Sequence, residues 1–549
     1  MSNRRMLLSC VILFVAACCV VGCVPVTRPA AANLTPEVPP NNVPLVAYRL
    51  DANAGGYAER VDYINNIGVA VTDPNPFVAE YKAGFIQGKL QKSLLAGTRD
   101  NQWDATALVG PSAAHTIPPS SDQLTGAQAV LAQNYDYTLD YITQKADPTL
   151  REQLTRILFR LLGVYHGATL DAPAALDFSG QWLPALDTFT PEELALTYGT
   201  PAVSFMDIYF LNAYNDVNDV LDNSSLVKCS AFVKRIGDDI YLTHNTWSSF
   251  LDQSMVLTYA INDTILTMNP AYPGLIASTT DFGYNNQGII FNETTHHNTY
   301  TEAKTDALWM LWRAALAEQF AGSLDEFYAY VSLEPSGTYM NGYMIVDTKT
   351  REIGLVEMSY QSFVYFKSDG EGGYAVTTKP EGLSTDYDPE LVQPDVILGI
   401  NYPASYLIRD ELQAVENRPE RRAQFLARMD TVIDIESAKA LIVYTDPAEP
   451  LSIFGRWDLG YGTTPTPKTV PDGSLDGKAI AASQVDFLSQ LQGVLDLEAA
   501  HPAFWMRFGT PHIDGKPFIW SESQWKDQTL RFVPDVVDGA WHFVNLYIK

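Results

Sequence analysis

An α+β fold, with helices laid against sheets, is what the sequence predicts, on three observations. Helical periodicity dominates the chain before residue 229. Strand-like runs bounded by turn residues dominate after it. The composition, 46% apolar and 18% charged over 549 residues with 35 Gly and 33 Pro, is that of a folded globular protein with long loops, and neither disorder nor a collagen-like repeat matches it. A chain of this length has room for one to three domains.

The elements follow in chain order. Asn3-Arg4-Arg5 is basic, Met6 to Val21 is apolar, and Val20-Val21-Gly22-Cys23 sets a cysteine after small residues. This is the pattern of a bacterial lipoprotein signal, so residues 1–23 are expected to be a signal peptide and Cys23 the lipidated residue. Val15-Ala16-Ala17-Cys18 offers an earlier site of the same kind, and an ordinary secretory signal or an uncleaved anchor are the other readings. Residues 24–42, with Pro25, Pro29, Pro36, Pro39 and Pro40, read as a stiff tether. The body then divides at residue 229 into 43–228 and 229–549. Thr125 to Leu170 is helical with a break near Pro148, its stripe carried by Leu154, Ile157, Leu158, Leu161 and Leu162, and Pro191 to Leu221 reads as a further helical run. Ser230 to Arg235 and Ile240 to His244 flank the turn cluster Ile236-Gly237-Asp238-Asp239 and predict a hairpin. Strands are expected at Ser254–Thr258, Thr264–Met268, Tyr343–Asp347 and Ile353–Met358. Between them, a helix over Thr305–Phe320 carries a stripe of Leu308, Leu311, Ala315 and Leu316 that should lie on a sheet. Thr463 to Gly477 reads as a surface loop.

Charge and cysteine usage narrow the function. Thirty-six basic against 64 acidic residues give a formal charge of −28, which excludes nucleic acid as a partner by repulsion from phosphate and argues for a covalent anchor over electrostatic docking at any membrane. Of five cysteines, Cys10, Cys18, Cys19 and Cys23 lie in the targeting segment and only Cys229 lies in the body. A lone thiol in an exported protein is an oxidation liability, which marks it as a candidate reactive group; the alternative is an inert buried cysteine. If Arg235 pairs with Ile240, Cys229 falls opposite Thr246. His244 then becomes its diagonal neighbour on the same face, about 7 to 8 Å away along the backbone. The polar stretch Asp222-Asn223-Ser224-Ser225 ends just before this point and would expose the Lys228–Cys229 bond.

These residues carry a resemblance. Cys229-Ser230-Ala231-Phe232-Val233-Lys234, followed by His244-Asn245-Thr246-Trp247-Ser248-Ser249, resembles the signature of the phospholipase B-like family of N-terminal nucleophile hydrolases. Further blocks match in order: Glu293-Thr294-Thr295, Ser336-Gly337-Thr338-Tyr339, Asn401-Tyr402-Pro403, Arg422-Ala423-Gln424 and Pro517-Phe518-Ile519-Trp520, with Ala79 to Gln91 similar to the family's early helix. The resemblance implies a four-layer αββα sandwich, cleavage between Lys228 and Cys229, and an acyl substrate on a phospholipid or related small molecule, with no cofactor. It also implies Asn401 as an oxyanion donor, and places Thr294-Thr295 where a backbone amide would assist. The chain departs from the family pattern in having no second body cysteine and in carrying Lys228 where small residues are usual.

The chemistry can also be argued from residue types. Cleavage before Cys229 would free an α-amine with a reference pKa of about 7.7 to 8, close to the thiol's roughly 8.5, so the amine can serve as its own base. His244 is then assigned the orientation of the thiolate, Arg422 a fixed cation near Cys229, and Trp247 a wall of the acyl pocket. His296-His297 reads as a loop and no metal site is expected, since adjacent residues diverge and no partner lies at zinc spacing. Gly-x-Ser-x-Gly, His-Glu-x-x-His and phosphate-loop patterns are absent from the sequence. Three functions remain: a phospholipid acyl-ester hydrolase, an amidase on linear N-acyl compounds like penicillin V acylase or bile-salt hydrolase, and an inactive lipid-binding surface lipoprotein.

Overall fold

Alternation and turn chemistry fold the body into two sheets. The computed structural model describes residues 43–105, 119–222, 228–252, 255–262, 264–278, 281–296, 302–416, 419–446, 448–449, 451–456, 471–489, 504–512, 515–527, 531 and 533–544, all within one unit, Val38–Lys549. The signal and tether segments with Cys18 and Cys23, the stretch 223–227, and His297 lie outside the described residues.

The first block is β1 (Val43–Asp51), β2 (Ala54–Val61) and β3 (Ile64–Val71), then helices α1 (Pro76–Ala105), α2 (Ser121–Gln144), α3 (Pro148–Thr169) and α4 (Phe205–Asp222). Ser120 and Gln123 close a capping box on α2, and Asp147 caps α3 with Pro148 at its first turn. Where Pro191–Leu221 is expected to be helical, only α4 forms. Gly199 takes a positive φ, Pro201 follows, and Ser204 caps the helix through Asp207 N at 2.9 Å.

The second block is β4 (Lys228–Ile236), β5 (Asp239–Ser249), β6 (Met255–Ile261), β7 (Ile265–Ala271), β8 (Phe282–Asn285), β9 (Ile289–Thr295), α5 (Met310–Phe320), α6 (Leu324–Val331), β10 (Asn341–Asp347), β11 (Glu352–Met358), β12 (Phe363–Ser368) and β13 (Tyr374–Lys379). Then come β14 (Val392–Gln393), β15 (Val396–Gly399), α7 (Tyr406–Leu412), α8 (Pro419–Arg428), α9 (Ile435–Ile442), β16 (Asp472–Ser474), β17 (Asp476–Ala481), α10 (Ala482–Ser489), β18 (Phe504–Phe508) and β19 (His542–Val544). Helix α5 starts five residues later than the periodicity suggests. Its first amides, Met310 N and Leu311 N, are satisfied by Asp216 of α4 at 2.9 and 3.3 Å, a cap supplied from another helix. The expected loop Thr463–Gly477 is corrected at its described end: Asp472–Ser474 and Asp476–Gly477 are strand, because Gly473 and Ser474 pair with Ser248 and Trp247 of β5.

Among the described residues, one sheet runs β1-β2-β3-β6-β7-β8-β9-β10-β11-β12-β13 and the other β14-β15-β4-β5-β17-β18-β19, with β16 also on β5. Strands β4 and β5 face β9 across the gap between the sheets. Helix α1 covers β1–β3 and β6, α5 covers β7 and β8, and α6 covers β10 and β11, while α9 and α10 cover β5 and β17. The layer order is therefore the expected αββα. The two halves of the chain share the larger sheet: β3 runs parallel to β6, from Asn65↔Met255 to Val71↔Ile261.

Helices α1 and α3 touch backbone to backbone. A Cβ at Gly84 would lie 2.1 Å from Arg160 O, and one at Gly163 would lie 2.3 Å from Tyr81 O. That contact aligns buried Glu80 with Arg156 and Arg160, at 3.0 and 2.8 Å, and Arg160 lies over the Tyr259 ring of β6 at 4.1 Å.

Candidate active site

The hairpin forms in the expected register, Arg235 opposite Ile240 and Cys229 opposite Thr246. Cys229 is the second residue of β4 and is fully buried. Its thiol, a ring nitrogen of His244 and a carboxylate oxygen of Asp281 all lie within 4.8 Å of one another. Strand alternation puts His244 and Thr246 on the Cys229 face of β5 and Trp247 on the other. The Arg421 guanidinium lies over the Trp247 ring, 5.7 Å from its centre.

The backbone of Cys229 is held as firmly as its side chain. Asn401, at φ +60° just beyond β15, accepts Cys229 N at its Oδ1 at 2.9 Å and donates Nδ2 to Thr295 O at 2.7 Å. One of its two amide hydrogens is thereby engaged, and its oxygen addresses Cys229. Arg421 on α8 donates to Cys229 O, Ile400 O and, at 3.0 Å, Asn401 Oδ1. The cation expected from Arg422 is therefore Arg421. Successive residues on a helix point about 100° apart, and Arg422 turns outward to Asp388 at 2.8 Å, Glu416 at 2.9 Å and Glu390 at 3.1 Å. Lys228 lies on the strand immediately before Cys229, opposite Trp247.

Thr294 and Thr295 separate by the same alternation. Glu293 N donates to Asp281 O and His296 N to Met340 O, so the Thr294 amide points into the ladder with β10, and the Thr295 amide points to the side of Asp281 and Asn401. Thr294's side chain fills the inter-sheet space over Gly399, where an added Cβ would meet its Cγ2 at 2.7 Å. His296 is a buried loop residue after β9.

Behind the thiol lies a set of polar and charged groups, in which Asp281, Asp476 and Lys478 join Glu293 and Tyr339 of the matching blocks. Tyr339 Oη bonds both carboxylate oxygens of Asp281 at 2.8 Å and Glu293 Oε2 at 3.2 Å. Burial pushes Asp281 up to about 6, and burial beside Asp281 pushes Glu293 well above the usual carboxylate range. Lys478 of β17 pairs with Asp476 Oδ2 at 3.0 Å and reaches Thr246 Oγ1, opposite His244 in the ladder. Burial, with Asp281 and Glu293 near, raises the Cys229 thiol. Burial, with Lys478 near, drops the His244 imidazole well below its usual value. The pair thus rests as neutral thiol and neutral imidazole, and the Glu293 backbone offers a contact to one His244 ring nitrogen while the other has no hydrogen-bond partner. Asp476-Gly477-Lys478, charges alternating within an apolar strand, is the one signal that could have revealed this pair from sequence. Asp281, just before β8 with φ +58°, carries no such signal, whereas Tyr339, at φ +45° two residues before β10, stands in a matching block.

Comparison with known proteins gives a consistent picture. The Phospholipase B family model matches residues 70–364. Phospholipase B-like protein C of Dictyostelium discoideum is 26% identical over 62% of this chain and 65% of its own length. Phospholipase B-like protein A of the same organism is 31% identical over 58% of each, and Phospholipase-B 81 of Drysdalia coronoides is 26% identical over 58% of this chain and 64% of its own length. The chain thus spans somewhat less than two thirds of these curated relatives. A mutant conjugated bile acid hydrolase from Clostridium perfringens superposes with a TM-score of 0.27 at 11% identity, over 51% of this chain and 89% of that one, a level that adds nothing to the fold assignment.

Proposed function

Because the chain belongs to the phospholipase B family, we propose that it is an acyl hydrolase acting on phospholipids or related lipids, with Cys229 as nucleophile after cleavage of the Lys228–Cys229 bond. The observation that carries this reading is the double hold on Cys229. Its thiol is grouped with His244 and Asp281 while its own nitrogen is received by Asn401. A cysteine whose backbone nitrogen has a dedicated polar acceptor is suited to use that nitrogen once it becomes an amine.

The two stages need different bases. In the uncut chain Cys229 N is an amide and cannot take a proton, so neutral His244 accepts the thiol proton and the thiolate attacks the Lys228 carbonyl. Collapse breaks the C–N bond, the nitrogen takes the proton, and water hydrolyses the thioester to leave a Lys228 carboxylate and a Cys229 amine. In turnover the amine, held at Asn401 Oδ1, accepts the thiol proton. The thiolate attacks the acyl carbonyl, the ammonium protonates the departing alcohol, and water releases the fatty acid from the acyl-enzyme. Thr295 N–H, on the nucleophile's side of β9, is the amide assigned to the developing oxyanion. Arg421 is a positioning residue that pins Cys229 O and Asn401. Attachment to the cell envelope through lipid on Cys23 completes the proposal; its support is the sequence pattern, and Cys23→Ser should abolish detergent-phase partitioning.

The test uses matched acyl esters and N-acyl amides, with acyl-enzyme formation at Cys229 followed by mass spectrometry. Ester turnover through a Cys229 adduct is expected. Full turnover by a pre-split two-chain Cys229→Ala protein would reject the nucleophile, and turnover of amides alone would reject the lipid-ester substrate.

A further inference from the structure

We propose that Cys229, His244 and Asp281 also form a site for a borderline-soft divalent cation of the zinc type, and that such an ion reversibly silences the nucleophile. The three donors come from three separate elements, β4, β5 and the residue preceding β8, so no sequence spacing announces them. One thiol, one imidazole and one carboxylate are a ligand set that zinc and cobalt accept and that magnesium and calcium do not favour. Their donor atoms lie within 4.8 Å of one another. Zinc bonds of about 2.0 to 2.3 Å in a tetrahedron require donors about 3.3 to 3.8 Å apart, so closure needs side-chain shifts of about 1 Å and no backbone rebuilding.

A second observation points to a ligand independently of that grouping. His244 is fully buried, and beyond a contact of one ring nitrogen with the Glu293 backbone the other nitrogen lacks a hydrogen-bond partner. A buried imidazole nitrogen normally has a partner, and an unpaired one carries a desolvation cost that a bound cation would relieve.

The charges around the site fit a dication. Lys478, the cation facing His244 from β17, is balanced by Asp476. On the other side, Asp281 faces Glu293 and the Tyr339 hydroxyl. A thiolate and the Asp281 carboxylate together neutralise an M²⁺ ion, which is the condition for burying it without a large electrostatic penalty. Binding replaces the thiol proton, so one proton leaves for each ion bound and no redox step is involved. Binding does not depend on the hydrolase reading; the loss of turnover does, because it follows from occupying the nucleophile.

The experiment titrates Co²⁺ into purified cut and uncut protein separately and follows the near-ultraviolet thiolate-to-cobalt charge-transfer band. A saturable band at one ion per chain in either form is expected, displaced by Zn²⁺ and not by excess Mg²⁺ or Ca²⁺. It should vanish after iodoacetamide treatment, and in His244→Ala affinity should fall at least about 10-fold. As a check that needs no variant to fold or mature, Zn²⁺ should slow carboxamidomethylation of wild-type Cys229 at least about 10-fold, with recovery on chelation. No thiolate band in either form, or a band that survives alkylation, overturns the site. Turnover through a Cys229 acyl-enzyme without a cobalt band rejects the metal site and leaves the hydrolase standing. A band beside full turnover in pre-split Cys229→Ala does the reverse.

Discussion

Replacing Arg421 by methionine leaves Cys229 O, Ile400 O and Asn401 Oδ1 without the donor that Arg421 supplies. Each unmatched buried acceptor costs about 1 to 3 kcal/mol. Arg421→Met should therefore lower the melting temperature and abolish maturation. Arg422→Met removes ion pairs to Asp388, Glu390 and Glu416 on the side of α8 turned from Cys229; the buried Asp388 keeps Arg409 at 2.8 Å, so some stability is lost while turnover should stay within a few-fold of wild type. Equal losses in the two variants, measured side by side by thermal melts and steady-state assay, would contradict the assignment of Arg421. At Asn401 the feature at stake is the placement of the amine, since its oxygen receives Cys229 N at 2.9 Å. Asn401→Ala should lower kcat by about 10²-fold, the usual penalty for a reacting group displaced by about 1 Å, with the fold intact by circular dichroism.

The elements record how far the sequence could be read and where it stopped. The hairpin of β4 and β5 was fully legible, down to Cys229 opposite Thr246, because turn residues fix register and register fixes faces. The break at Pro148 was legible for the same local reason. Arg421 was not: within the run Arg421-Arg422, only the rotation of α8 against β15 decides which guanidinium enters the core, and that is a tertiary fact. The start of α5 was equally hidden, since its cap is Asp216, a residue of another helix. Nor could the crossing of α1 and α3 be foreseen, although the glycine pairs Gly84/Gly88 and Gly163/Gly167 stand in the sequence at matched spacing. Gly84→Ala puts a methyl 2.1 Å from Arg160 O, a backbone atom that cannot step aside. It should cost about 3 kcal/mol or more in urea denaturation; a cost below about 1 kcal/mol would mean the helices are not in contact there.

Across the whole molecule, buried carboxyls set the pH response. Asp219, Asp252 and Glu357 are each pushed up to about 7, first of all by burial. A carboxyl whose folded pKa is raised binds its proton more tightly in the native state, so stability is highest below the unfolded value and falls as pH rises through the folded one. Histidines depressed by burial, such as His166 at about 4, act in the opposite sense, but with the unfolded imidazole already half deprotonated at pH 6.5 each adds only about 0.4 kcal/mol above it. The melting temperature should therefore decline between pH 6.5 and 8. A flat or rising profile in that window would count against the buried acids being protonated. Cleavage before Cys229 should leave fragments that migrate as one species in size-exclusion chromatography and part only in denaturant, because β3 stays hydrogen-bonded along β6 and Asp62 stays bound to Ala540 N and His542.

That shared sheet has a further consequence once the bond before Cys229 is gone. As one chain, β3 finds β6 by an intramolecular search whose loop-closure cost is fixed and independent of dilution. As two chains, the same pairing becomes a bimolecular encounter. The mature protein is then held together by its barrier to unfolding more than by its power to reassemble. Diluted after denaturation, it should recover more slowly the lower its concentration, whereas uncut Cys229→Ala should refold at a rate that concentration does not touch. Cleavage would thus turn a chain whose refolding ignores dilution into one whose recovery is set by how often its two halves meet.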